Sequence, residues 1–485
     1  MHRLLPALIA LLIVTRAHAG DTRSPTWWAK YRYLLGHGTV AAAGPTPSLQ
    51  AGANVNVSNE CGPQSETYVA IDTRAPKRLA GGSNEIFRLP MRGYASADGG
   101  GTWSGVDLPL PPPIGTNGTV FGSDPTLVFD SRDTVYYGYI VVYFSNGSGL
   151  NGSAMAGARS TDGGRTYPTA TFFSFESGSN HFNDKPMITA DANRTSPYRD
   201  SVYVAWDAAA GGSTGGGVRL ARSRDGGATF TTVRIDDPKG PGRAIGAVPF
   251  VGPNGEVYVA WNDYAANRIV FTRSVDGGVT WAPPRTIAGK AAAFEIAVPA
   301  EHERKALVYP TCDADRSSRP HRGRLSCAWT DLTPAGLADV VASESDDQGT
   351  TWSAPHAVTD ALATPVDRFN PWLSTDAVTG DVDVSFYDTR NDTTGRRYDT
   401  DIYLARSSGG ANIRVTTARS NEHDCGGVVP CSAIDYGNQQ GDYSGLVSYD
   451  GVAHPIWTDS RRNQTPAPGC RTGLAMDEVF TATVK

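Results

Sequence analysis

The sequence predicts an all-β protein folded as one seven-bladed β-propeller, with six blades as the alternative count. Three observations predict it. An eight-residue phrase recurs along the chain, strand-like segments fill the intervals between its copies, and helix-period patterning is hard to find after residue 40. With 54 glycines, 32 prolines and 9% aromatics, the composition suits many short strands joined by turns.

The phrase is Ser-x-Asp-x-Gly-x-Thr-aromatic. It begins at Ser96, Ser160, Ser223 and Ser274, more loosely at Ser345, and a worn sixth copy starts at Ser407. The spacings of 64, 63, 51, 71 and 62 residues fit four strands with generous loops. Asp98, Asp162, Asp225, Asp276 and Asp347 can each bond nearby backbone amides, and the glycines tolerate positive φ. Each copy therefore reads as a hairpin turn whose aromatic folds back over it. Such a staple is needed in every unit, whereas chemistry is needed once, so these aspartates are assigned to structure.

In chain order, Met1 to Arg3 precede an apolar run from Leu4 to Val14 and a small-x-small site at Ala17-His18-Ala19. This predicts a signal peptide over residues 1–19 and a secreted or periplasmic protein. Residues 20–52 read as a leader and linker, and residues 53–485 as the propeller. Each unit opens with an apolar segment, such as Thr67 to Asp72, and continues with a strand ending in an aromatic and an acid, such as Val202 to Asp207. Seven units begin near Glu66, Asp124, Asp184, Ala247, Glu295, Asn370 and Asp442. The seventh ends at Val479 to Val484, one strand short. Residues 53–58 have no other partner and are expected to complete it, leaving the ring without an open edge.

A net charge of -6 with no basic stretch argues against nucleic acid, and no apolar run is long enough to span a bilayer. A monomer is expected. Six cysteines suit an oxidising compartment. The pairing chosen among the 15 possible is Cys312 with Cys327, Cys425 with Cys431, and Cys61 with Cys470. Gly147 to Gly152 matches Gly-x-Gly-x-x-Gly without a strand-to-helix turn and reads as a loop. No His-Glu-x-x-His or Gly-x-Ser-x-Gly pattern supports zinc or serine chemistry.

The five phrases resemble the Asp boxes, or BNR repeats, of the sialidase superfamily. That resemblance implies a propeller, six-bladed in the sialidases themselves. It further implies a site with three arginines on the substrate carboxylate, a Tyr nucleophile assisted by Glu, and an Asp acid/base. Asp442-Tyr443-Ser444 resembles the nucleophile stretch, which makes Tyr443 the candidate. Arg390 and Arg461 follow second-strand ends as two clamps, and Arg368 is a third substrate-binding candidate. Phe87-Arg88-Leu89-Pro90 is similar to the family's Phe-Arg-Ile-Pro opening, but it follows a second strand instead of starting a blade. Asn370 stands where the assisting Glu is expected.

Blade geometry sorts the polar residues without the family. Entries to first strands and exits from second strands share one face, opposite the boxes. Glu66, Asp124, Asp184, Lys185, Arg368, Asp442 and Tyr443 enter; Asp207, Asp263, Asp331, Asp388, Arg390, Asp459 and Arg461 leave. Clustered carboxylates beside arginines can divide into acid and base, with Asp442, Asp388 and Asp459 as the catalytic candidates. No cofactor is required, although such a mouth could hold calcium. The expected function is an exported sialidase-type glycoside hydrolase acting on terminal acidic sugars of glycans. The alternatives are a propeller that only binds glycan or protein, or another propeller glycosidase or uronate lyase.

Overall fold

The computed structural model of the chain describes residues 54–485 except 87, 112–119, 146–148, 178–182, 209–215, 238–242, 302–303, 409–410, 424–439 and 462–476. The described residues form seven four-stranded antiparallel sheets and one two-stranded ribbon. The innermost strands are Gln64–Ile71, Val120–Phe129, Asp184–Ala190, Ala244–Val251, Thr311–Ala314, Arg368–Thr375 and Gly445–Tyr449. Each packs against the next, and the last packs against the first, so the blades close into a ring. Blade count and fold class are those expected from the sequence.

The closure is also as expected. Asn54–Asn56 is the outer strand of the seventh blade, with Asn54 opposite Ala482 and Asn56 opposite Phe480. Past its end, the Val57 amide bonds the Val479 carbonyl at 2.7 Å, and the Val479 amide donates to Ser58 Oγ at 3.0 Å. The strand finds pairing here because every other sheet already holds four strands.

The fifth blade differs from the sequence reading. Its inner strand starts at Thr311, not near Glu295; Glu295–Ile296 pairs with Ala306–Leu307 in a small ribbon ahead of it. Residues 290–310 are thus an excursion between the fourth and fifth blades. The longest box spacing, 71 residues, contains it.

Second strands are buried on both faces, which explains their near-continuous apolar text. Trp206, Trp329 and Trp457, the aromatics that close three of them, are among the largest fully buried side chains. The boxes are the staples they resemble. In all five, the serine hydroxyl donates to the aspartate while accepting an amide from the following glycine turn. The threonine amide and hydroxyl bond the same aspartate. The Thr229 hydroxyl, followed by its amide and Ser223, holds Asp225 down to about 2. The second glycine of the pair in each of the first four boxes has positive φ, as Gly164 does at 90° beside the Ala80 methyl, where a side chain has neither the backbone region nor the room.

Cys312 and Cys327 face each other on the first two strands of the fifth blade and are bonded, Cα to Cα 4.1 Å. Cys61 is also disulfide-bonded. Cys425, Cys431 and Cys470 lie outside the described residues, as do the expected signal peptide and leader.

Candidate functional site

Five inner strands open with the same backbone irregularity. Their registers shift between Ser65 and Tyr68, Ser123 and Thr126, Asp184 and Met187, Ile245 and Val248, and Phe369 and Trp372. Inside each shift sits one residue with positive φ: Glu66 (51°), Asp124 (58°), Lys185 (54°), Gly246 (69°) and Asn370 (49°). A bulge re-aims its side chain, and glycine is the residue that occupies this conformation without cost. Four of the five blades instead place a charged or amide side chain there. Strain of this kind, of order 1–3 kcal/mol per residue, concentrates at sites that use it.

The re-aimed side chains meet at one end of the channel. The Lys185 ammonium is fully buried, 3.4 Å from Asp124 and 3.6 Å from Glu66, and pairs closely with Asp442. Arg304, from the excursion before the fifth blade, reaches across the ring. Its Nε donates to Asp442 Oδ1 at 2.6 Å, and its Nη2 lies 3.2 Å from Glu66. Asn84 donates to Glu66 at 2.7 Å and accepts the Asp124 amide, while Asn370 donates to the Gly441 carbonyl. Residues from the first, second, third, sixth and seventh blades, with the excursion, therefore form one cluster.

Its acids occupy opposed environments. Burial works to raise Asp442, but Arg304 and then Lys185 outweigh it and keep the carboxyl below its ordinary range. Burial pushes Glu301 up to about 8 against the pull of Arg304, with Asp442 adding to the rise. Glu301 is 6% exposed, and neither of its oxygens has a hydrogen-bond partner. Burial likewise raises Glu66, to about 8, opposed by Lys185 and helped by Asp124 and Asp442. Lys185 stays charged despite burial because Asp124, Asp442 and Glu66 surround it.

Tyr443 belongs to this cluster. Its ring lies under the Lys185 ammonium at 5.5 Å and 6.0 Å from Trp372, and its hydroxyl donates to the Pro125 carbonyl at 3.0 Å. Burial, then Asp124 and Glu66, hold the phenol well above its usual range, so it is neutral. Asp184 is buried close by and raised well above a normal carboxyl, first by burial.

The arginine clamps are placed elsewhere. Arg390 bonds Asp388 at 2.7 and 2.8 Å and Asp360 at 2.9 Å, and stacks 3.9 Å over Tyr403. Arg461 repeats the motif with Asp459 and adds Asn54 and Thr417, lying 4.5 Å over Phe480. Arg368 pairs with Asp388 and Asp339, each at 3.1 Å. Tyr443 is in none of these contact sets; the guanidiniums are occupied in joining strands and neighbouring blades. Arg88 is bound to Glu60 and Asp107 on the flank of the first blade. Asp207 accepts the Gly246 amide, Asp331 accepts those of Ala291 and Ala292, and Asp263 pairs with Arg268. Among the described residues no group of three or more His, Cys, Asp or Glu side chains is arranged to hold a metal ion.

Sequence reasoning found Glu66, Asp124, Lys185, Asp442 and Tyr443 but missed Arg304 and Glu301. The long fourth-to-fifth box spacing was the available signal.

Comparison with known proteins yields likeness of fold. No family profile matches the chain, and no curated protein matches it. Among solved structures, a leech intramolecular trans-sialidase is 12% identical, with 78% of this chain and 72% of that one covered and a TM-score of 0.47. A sialidase from Streptococcus pneumoniae is 12% identical, covering 76% and 70%, with a TM-score of 0.46. A Dyadobacter fermentans protein of unknown function is 14% identical, covering 71% and 94%, with a TM-score of 0.41.

Proposed function

We propose that the protein is an exported glycoside hydrolase of sialidase type that works at the charged end of the channel, on the face opposite the boxes. The supporting observation is the division of two neighbouring acids. Asp442 is held ionised by Arg304 and Lys185, while Glu301 is buried, unbonded and keeps its proton near neutral pH. Environments that push two carboxyls apart define an acid and a base. Glu301 is assigned as proton donor to the leaving sugar oxygen, and Asp442 as the carboxylate that stabilises positive charge at the breaking bond. Tyr443 is the neutral nucleophile candidate, and Arg304, bound to Asp442 and Glu66, holds the Asp442 carboxylate in place and ionised. Asp388, Asp459, Arg368, Arg390 and Arg461 take supporting roles as blade joints.

A second reading, binding without turnover, draws on Tyr443, whose proton is donated to a backbone carbonyl and not to a carboxylate base. The test is a turnover screen of the purified protein on a fluorogenic sialoside beside uronate- and arabinose-containing glycans. Release of an acidic sugar, lost in Glu301→Gln and Tyr443→Phe with folding intact, supports hydrolysis. Inactivity on every glycan, with glycan bound at this end, supports the second reading.

A further inference from the structure

The ring holds a cavity back to back with the charged cluster. A well of about 870 Å³ runs along the axis between the inner strands of all seven blades. It opens between the turns that join first to second strands, on the face of the boxes. Tyr68 and Trp372, edge to face at 5.1 Å, line it toward the cluster, with Tyr443 beyond Trp372.

Arginines crowd the opening. Arg74, Arg132, Arg194, Arg199 and Arg316 line it, against one acid, Asp313. They come from the turns of the first, second, third and fifth blades, and Arg316 reaches the Val251 carbonyl of the fourth. Acids brace several: Asp133 on Arg74 (3.2 Å), Asp130 on Arg132 (3.2 Å) and, within the lining, Asp313 on Arg316 (3.1 Å). The Arg199 Nε is fixed by the Ser131 hydroxyl at 2.7 Å. The side chains of Arg74, Arg132 and Arg199 are still 51%, 54% and 42% exposed. Arg194 is exposed and has no ion-pair or hydrogen-bond partner among the described residues. A guanidinium has five N–H donors in a rigid fork, so a brace that uses one or two fixes its plane and leaves the rest for a ligand.

We propose that this well is a second binding site, for an anionic oligosaccharide bearing carboxylate or sulfate groups. The forks match such oxyanions in pairs. Arginines spread over several blades suit charges repeated along a chain better than one small anion, and the volume is that of a ligand pocket. The aromatic end offers a surface for the apolar face of a sugar ring.

The test is calorimetry of the purified protein with a sulfated, uronate-containing tetrasaccharide and, separately, with inorganic sulfate. Expected are tetrasaccharide binding that weakens steeply with added salt, and affinity at least tenfold lower in Arg194→Glu, whose lack of partners leaves the fold intact. Arg132→Ala should act in the same direction, and Glu301→Gln, which keeps the fold, should leave this affinity unchanged, which separates the site from the proposed catalytic one. Sulfate binding as tightly as the tetrasaccharide, no binding at millimolar concentration, unchanged affinity in Arg194→Glu, or loss in Glu301→Gln would each overturn the proposal.

Discussion

Replacing Glu301 with Gln isolates one proton. In the folded chain its carboxyl is raised to about 8 from an ordinary 4.5, so between those values the native state holds a proton that the unfolded chain has released. Stability is therefore fully present below about pH 4.5 and is lost as pH rises through about 8. At about 1.4 kcal/mol per pH unit, the whole window is worth on the order of 5 kcal/mol, a large share of a typical domain's stability. Gln is close in shape to the protonated acid and has nothing to release. Urea unfolding midpoints should be similar for wild type and Glu301→Gln at pH 5. At pH 9 the variant should be the more stable by about 3–5 kcal/mol. Glu66 shifts in the same direction, so the variant keeps some alkaline slope of its own. Comparing the gap between the two proteins at the two pH values cancels whatever the substitution does to packing. An equal gap at both would refute the argument that Glu301 is buried neutral, and with it the assignment of a proton donor.

Further expectations are more local. Asp442→Asn removes the carboxylate shared by Lys185 and Arg304 and should cost about 3–5 kcal/mol, since both cations stay buried; an unchanged unfolding midpoint would contradict the network. Asp162→Ala should cost about 1 kcal/mol by unpairing the turn amides, with turnover unaltered in a rate assay, because the box lies on the other face. Breaking the Cys312 to Cys327 bond with serines should lower stability by about 3 kcal/mol, the chain-entropy figure for a loop of roughly 15 residues, read from thermal melts against the oxidised parent. Deleting residues 53–60 should bare the edge of strand Glu478–Ala482 and give an aggregating product on size-exclusion chromatography.

Much of the fold was legible because its determinants are local and repeated. The serine, aspartate and threonine of each box bond one another within six residues, so their spacing survives as text. Closure was legible as a deficit, one strand lacking at the end and one spare at the start. The site was less so. Glu66, Asp124 and Lys185 could be placed on the correct face by strand direction, yet nothing in their neighbourhoods shows a left-handed bulge turning them to the axis. Arg390 and Arg461 misled because an Asp two residues earlier captures each guanidinium, a pairing that the Asp-x-Arg spacing permits but does not require. Arg304 meets Asp442 from 138 residues away, a distance no periodicity covers.

The pairing of Asn54–Asn56 with the seventh blade also bears on how the molecule comes into being. Asn56 and Glu478 are hydrogen-bonded partners 422 residues apart. The first of the described strands must wait, through synthesis of all seven sheets, for the last of them. Until then the nascent ring is a crescent with sticky ends, and the slow, long-range step falls at the finish. A chain threaded through a membrane pore from its N-terminus would keep that crescent open until its tail arrived. Sealing would then be an event of the far side of that pore.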